Sequence, residues 1–335
     1  MTENDHTSDT NNTHDINYEF DYYESINHNM DSPTCTHPAC VFLVTVDVII
    51  FILGSAGNAV VIWIAGFKMK KSVTRTWYLS LAVSNFLFCC TLPFTVVYRI
   101  REDWIFGLFM CKFIPFIVFL NMFSSIFLLV IISVDQCVLV MFPVWAQNQR
   151  SIRKASVIVM LVWIISAVLS TPSLIFQEVH RIHGQTQFCF NSYMSHENLT
   201  AVVVCRFVFG FLIPFLIIII CYIMKINQSV RFKKPFKIMT ALTVTYFICW
   251  LPFHTYGFIE VNFMNYEINT VLVAHVLGIS LASAYSCLNP FIYAIMGRDV
   301  EIKWYRFLSK IENALVGENE DQNTQQWLPL KEENI

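Results

Sequence analysis

Charge is what this chain lacks most. Asp, Glu, Lys and Arg make up 14% of its 335 residues, against roughly 25% in soluble domains. Hydrophobic residues make up 56%, and a chain so apolar belongs in lipid. The first 40 residues hold no apolar core of the signal-peptide kind, so the first apolar run is expected to act as an uncleaved anchor. No Cys follows Cys287, which excludes a palmitoyl anchor behind the last apolar run. There is no inverted repeat and no pairing of acids inside the apolar runs, which argues against a transporter or channel. No catalytic constellation is visible, so no enzyme, cofactor or bound metal is expected. The net charge of −2 carries no basic excess, and no nucleic-acid partner is expected.

Long apolar runs are what the chain has. A helix needs about 20 mainly apolar residues to cross a bilayer. Seven runs qualify: 41–65, 77–97, 109–140, 155–176, 199–226, 238–259 and 271–295. Barrel strands would be about half as long and would alternate in polarity. The fold class is therefore an all-α membrane protein, a seven-transmembrane helix bundle over 41–297. The third run exceeds one span's need and is expected to tilt or project.

Lys and Arg are absent from residues 1–67, while the first 40 residues carry eight acids. The loops after runs one, three and five are basic, with Lys68, Lys70, Lys71 and Arg75, then Arg150, Arg153 and Lys154, then Arg231, Lys233 and Lys234. Positive loops stay in the cytoplasm. That places an acidic tail (1–40) outside the cell, and a short amphipathic helix (298–310) and a tail (311–335) inside.

Of the 11 Cys, most sit in apolar runs as small hydrophobes. Cys111 and Cys189 fall on the expected outer, oxidising side, where a bridge would close a loop of about 80 residues. Cys35 and Cys40 either pair or stand as unrelated thiols. Asn11 and Asn198 open glycosylation sequons on the same side.

Each run also carries a polar or Pro feature: "GNAVV" with Asn58, "LAVSN" with Asn85, "SVDQCVLVMFPVWAQ" with Asp135 and Gln136, Trp163, Pro214 with Tyr222, "CWLPF" with Trp250 and Pro252, and "NPFIY" with Asn289, Pro290 and Tyr293. Any one of these is a kink or a satisfied interior polar group. Together and in this order they resemble the rhodopsin-like G-protein-coupled receptors. The stretches "FKMKK", "WIFG", "FPVWAQNQRSIR", "TPSLIF", "RFVFGFLIP", "KKPFKI" and "MGRD" are similar to the chemoattractant branch, the formyl-peptide, anaphylatoxin and chemerin receptors.

The resemblance implies an extracellular peptide or protein ligand and a heterotrimeric G protein inside the cell. The amine-binding Asp of other branches is matched here by Val118, and the retinal-binding Lys by Ser283, so neither ligand is expected. Ligand contact is implied for Arg206, Phe119, Asn121, Tyr256 and Glu260. Arg206 lies about seven residues into its run, roughly 10 Å deep. A guanidinium there suits a ligand carboxylate, or else it snorkels to the interface. Tyr18, Tyr22 and Tyr23 lie among acids, as in receptor tails that are tyrosine-sulfated; the plainer reading is a solvated acidic tail.

Activation and coupling are implied for Asp135, Gln136, Tyr222, Trp250, Pro252, Asn289, Pro290 and Tyr293. Three departures stand out. Gln136 replaces the Arg that pairs with this Asp and later meets the G protein, so Asp135 is expected to lack an ion partner. Asn85 replaces the Asp of the sodium site. Thr324 is the single Ser or Thr in 311–335, so arrestin binding is expected to be weak unless Glu318, Glu320 and Asp321 mimic phosphates. Two readings stay open: a coupling peptide receptor, or a scavenging receptor that binds ligand and couples weakly.

Overall fold

The computed structural model describes residues 38–182, 186–227 and 234–296. Tyr18, Tyr22, Tyr23, Asn11, the expected helix over 298–310 and the tail over 311–335 lie outside them.

Seven helices are long and apolar enough to cross a membrane: Cys40–Lys68, Val73–Arg101, Gly107–Met141, Ile152–Phe176, His196–Ile226, Phe236–Val261 and Asn269–Ile295. They are spans one to seven below. Serine starts three of them. Ser72, Ser151 and Ser195 each turn a hydroxyl onto a backbone N–H three residues on, at 3.2, 3.3 and 3.3 Å. That satisfies a donor which the helix itself leaves open. At the far end of span one Arg75 performs the converse task. Its guanidinium donates to the carbonyls of Ala65 and Gly66, the latter at 2.6 Å, and so caps the last turn.

The spans are not straight rods, and the breaks have identifiable causes. Span two is interrupted between Cys89 and Leu92, where Pro93 sits in the first turn of its second piece. Pro115, Pro252 and Pro290 lie within spans three, six and seven, and each removes one backbone donor. Span five contains a π turn, Val208–Leu212. The hydroxyl of Tyr246 in span six donates to the carbonyl of Gly210 in that turn at 3.0 Å.

Span three runs through the centre. Met122, Phe123, Ile126, Leu128 and Leu129 are wholly buried on it. The outer faces of spans one, four and five show the opposite pattern, with Ile52, Met160, Ile164 and Ile220 more than half exposed, as a lipid-facing belt requires. Lipid gives apolar side chains no reason to leave it, so the helices are joined by small and polar residues. Asn58 is fully buried and donates to the carbonyls of Gly54 and Ser286, both at 2.9 Å, which ties span one to span seven. A Cβ on Gly57 would stand 2.8 Å from Pro290, so only glycine allows this approach. Trp163 of span four donates to Ser80 of span two at 2.9 Å.

One end of the bundle is covered by an antiparallel hairpin, β1 (Gln177–Ile182) and β2 (Thr186–Asn191), in register from Gln177 opposite Asn191 to Ile182 opposite Thr186. Cys189 of β2 is bonded to Cys111 at the start of span three, with Cα atoms 5.6 Å apart. The "WIFG" loop packs beside it. Trp104 N–H donates to Gln187 O at 2.7 Å, and its indole to Gly107 O at 2.9 Å. Gly107 has φ +73°, which glycine adopts without strain. Cys40 is disulfide-bonded; Cys35, with which it either pairs or does not, lies outside the described residues.

Candidate functional site

Three groups of residues stack along the bundle axis. The first lies under the hairpin. Arg206 sits ten residues, roughly 15 Å, along its helix, which starts at His196, three residues ahead of the apolar run. The earlier start follows from Ser195, whose cap adds a turn of polar helix ahead of the apolar run. The guanidinium carbon of Arg206 lies 3.6 Å from the ring centre of Phe119, a cation–π contact that holds the charge inward. No described carboxylate comes within ion-pair distance of it. Tyr256 hydrogen-bonds Glu260, and its ring packs 4.8 Å from that of His275. Arg206, Phe119, Tyr256 and Glu260 thus share this end of the bundle.

An ion pair at the same end was not foreseen. Asp47 of span one, 3% exposed, lies 3.2 Å from Arg99 of span two. An acid in the middle of an apolar run was the available signal, because such a residue is costly in lipid and keeps a partner.

The second group is the core below. Rings lead down from Arg206: Phe119 to Phe253 at 5.9 Å, Phe253 to Trp250 at 5.6 Å, Trp250 to Tyr246 at 5.9 Å, and Tyr246 to Tyr285 at 5.2 Å. Trp250 and Tyr246 are fully buried, and Pro252 lies within span six between Trp250 and Phe253. Asn121 belongs with this core and not with Arg206. Its amide donates to Asn85 Oδ1 at 3.0 Å and Ser84 Oγ at 3.1 Å, and its oxygen accepts from Ser286 at 3.3 Å. Asn85 therefore sits in a network of neutral amides and hydroxyls. Asn289 is fully buried beside Pro290 in span seven.

The third group closes the end opposite the hairpin. The expectation that Asp135 lacks an ion partner is wrong. Arg150, on the loop after span three, donates to both carboxylate oxygens at 2.9 and 2.8 Å and to Thr74 of span two at 2.8 Å. The planar fork of Arg fits a carboxylate in this way, and a separation of fifteen residues hid it from helical spacing. Gln136 is half-buried beside the pair. Tyr222 donates to Thr240 at 2.7 Å and joins spans five and six. Tyr293 packs edge-on against Tyr78 at 5.3 Å. Asn198 lies in the first turn of span five, half-buried, at the hairpin end.

The comparisons agree with this layout. A family model described as "7 transmembrane receptor (rhodopsin family)" matches residues 57–293. The chain is 39% identical over 320 residues to Chemerin-like receptor 1 of Homo sapiens, covering 88% of this chain and 86% of that protein. It is 38% identical over 319 residues to the C3a anaphylatoxin chemotactic receptor of Oncorhynchus mykiss, covering 90% and 86%. It is 36% identical over 310 residues to Formyl peptide receptor 2 of Mus musculus, covering 84% and 88%. An inward arginine under a disulfide-tied hairpin, an aromatic column and a clasped far end lie on a chain with these relatives, and the protein belongs to the rhodopsin family of seven-transmembrane receptors, in its chemoattractant branch.

Proposed function

We propose that the chain is a plasma-membrane receptor for a chemerin-like peptide or protein, with its N-terminus outside the cell and its C-terminus in the cytoplasm. The basic loops after spans one, three and five support that orientation. The ligand's C-terminal end enters beneath the hairpin, and its carboxylate meets Arg206. The observation that carries this reading is a guanidinium held 3.6 Å above Phe119, with no carboxylate among the described residues within ion-pair distance of it. Binding shifts a two-state bundle through Phe253 and Trp250, and the change reaches a heterotrimeric G protein, of the inhibitory class, at the far end.

The test compares C-terminal chemerin peptides as free acid and as amide. Arg206→Ala weakens the free acid by about ten- to a hundredfold, the worth of a charged hydrogen bond, and the amide far less. Equal losses for the two peptides would refute the role.

A second reading is favoured by two uncharged positions. Gln136 brings no cation to the coupling end, and Asn85 brings no anion to the core. In that reading the receptor takes up its ligand and couples weakly.

A further inference from the structure

Two of the Cys that read as small hydrophobes in the sequence do more than fill space. Cys137 lies near the end of span three and Cys221 in the second half of span five, and both are buried and free of any disulfide. Their thiols are hydrogen-bonded to each other across the two spans.

A third group joins them. Lys225 follows Cys221 by one helical turn, and its ammonium interacts with both sulfurs. A Lys this close to the end of a span ordinarily extends to water. This one is 6% exposed, and its ammonium lies 3.9 Å from the ring centre of Phe236 on span six. An apolar seam between two helices has no need of a cation. Sulfur chemistry does, because the reacting form of a Cys is negatively charged.

We propose that Cys137 and Cys221 form a dithiol modification site, oxidised by hydrogen peroxide to a disulfide that fastens span three to span five. One sulfur, as thiolate, attacks an oxygen of the peroxide. An S–O bond forms and the O–O bond breaks, and the proton that left the thiol departs with the second oxygen as water. The second sulfur, as thiolate, then attacks the sulfenic acid so formed. The S–S bond forms and the S–O bond breaks, and the hydroxyl leaves with the second thiol's proton as another water. The two thiols lose two electrons, and the peroxide gains them. Lys225 offsets the charge of each attacking sulfur. In the orientation proposed above, this end faces the cytosol, where disulfides are transient and redox-sensing rather than structural. The Cys111–Cys189 bond at the other end is of the structural kind.

The test uses the full-length receptor, purified in nanodiscs of neutral lipid, so its outcome depends on neither ligand nor orientation. The receptor is titrated with hydrogen peroxide, the remaining thiols are blocked with N-ethylmaleimide after unfolding, and the peptides are mapped by mass. We expect a peptide pair joined through Cys137 and Cys221 that dithiothreitol separates. Cys89 and Cys287, which pack among Ile50, Phe88 and Leu92, should remain thiols at the same peroxide level. Lys225→Met keeps the buried stem and removes the charge. It should slow bond formation about three- to tenfold, since a neighbouring charge changes the thiolate population by about a decade or more and lower nucleophilicity takes back part of that. Lys225→Arg should keep the unmodified rate, a rescue that a merely structural role does not predict. The inference is overturned when Cys137 and Cys221 still take N-ethylmaleimide after the exposed Met194 and Met264 have become sulfoxides. Equal oxidation of Cys89 and Cys287 also overturns it, since the reaction would then belong to any buried thiol. So does a bond from Cys137 or Cys221 to a different Cys. An unchanged rate in Lys225→Met overturns the role given to the ammonium.

Discussion

Gln136 stands half-buried beside an aspartate that already has its cation. Replacing it with Arg adds a charge-assisted contact at the coupling end, of a kind worth about 1.5–3 kcal/mol. Gln136→Arg, matched for surface level, should therefore raise G-protein activation by about tenfold or more and leave ligand affinity unchanged, because Arg206 lies at the other end. Equal activation by the two forms would remove the scavenging reading. Asn85 makes a complementary prediction. Its oxygen is engaged by Asn121 at 3.0 Å and its neighbours are neutral, whereas a hard cation needs charged oxygen ligands. The purified receptor should melt at the same temperature in sodium chloride as in choline chloride, and Asn85→Asp should create a difference.

At the scale of elements the Asp135–Arg150–Thr74 clasp stands out, since it fastens span three to span two through a loop cation. Arg150→Ala should lower stability by about 1.5–3 kcal/mol, read as a lower melting temperature. Exchanging the charges, Asp135→Arg with Arg150→Asp, should recover part of the loss, whereas a merely crowded loop would gain nothing from the exchange. The clasp shows where reading the sequence stops. Spans are legible because lipid demands an unbroken apolar length, and the Ser caps and Pro bends are legible because their chemistry is local. A loop arginine that returns to a helical aspartate fifteen residues before it has no period to betray it. Asp47 and Arg99 were legible in principle, as charges in or beside apolar runs, but which charge meets which depends on how spans one and two lie. The π turn leaves no mark in composition, because one extra residue in "RFVFGFLIP" is still apolar.

At the scale of the molecule the Cys111–Cys189 bond fixes the hairpin over the mouth, with the two residues 78 apart in sequence. Closing a loop of that length contributes about 4–5 kcal/mol in the chain-entropy model. Cys111→Ala should thus lose both surface expression and ligand binding; normal levels of both would show that Trp104 and the hairpin hold the mouth unaided. The π turn of span five has the widest reach. An α-helix advances about 100° per residue, so Arg206 and Lys225, nineteen residues apart, would in an unbroken helix point about 100° away from one another. The one residue absorbed by Val208–Leu212 brings the two cations into phase, Arg206 over Phe119 of span three and the buried Lys225 over Phe236 of span six. Span five is in this sense a crankshaft with two throws. Forcing the same residues into an unbroken α-helix would leave every contact above the turn or every contact below it in place, but not both, and would swing one of the two charges toward lipid.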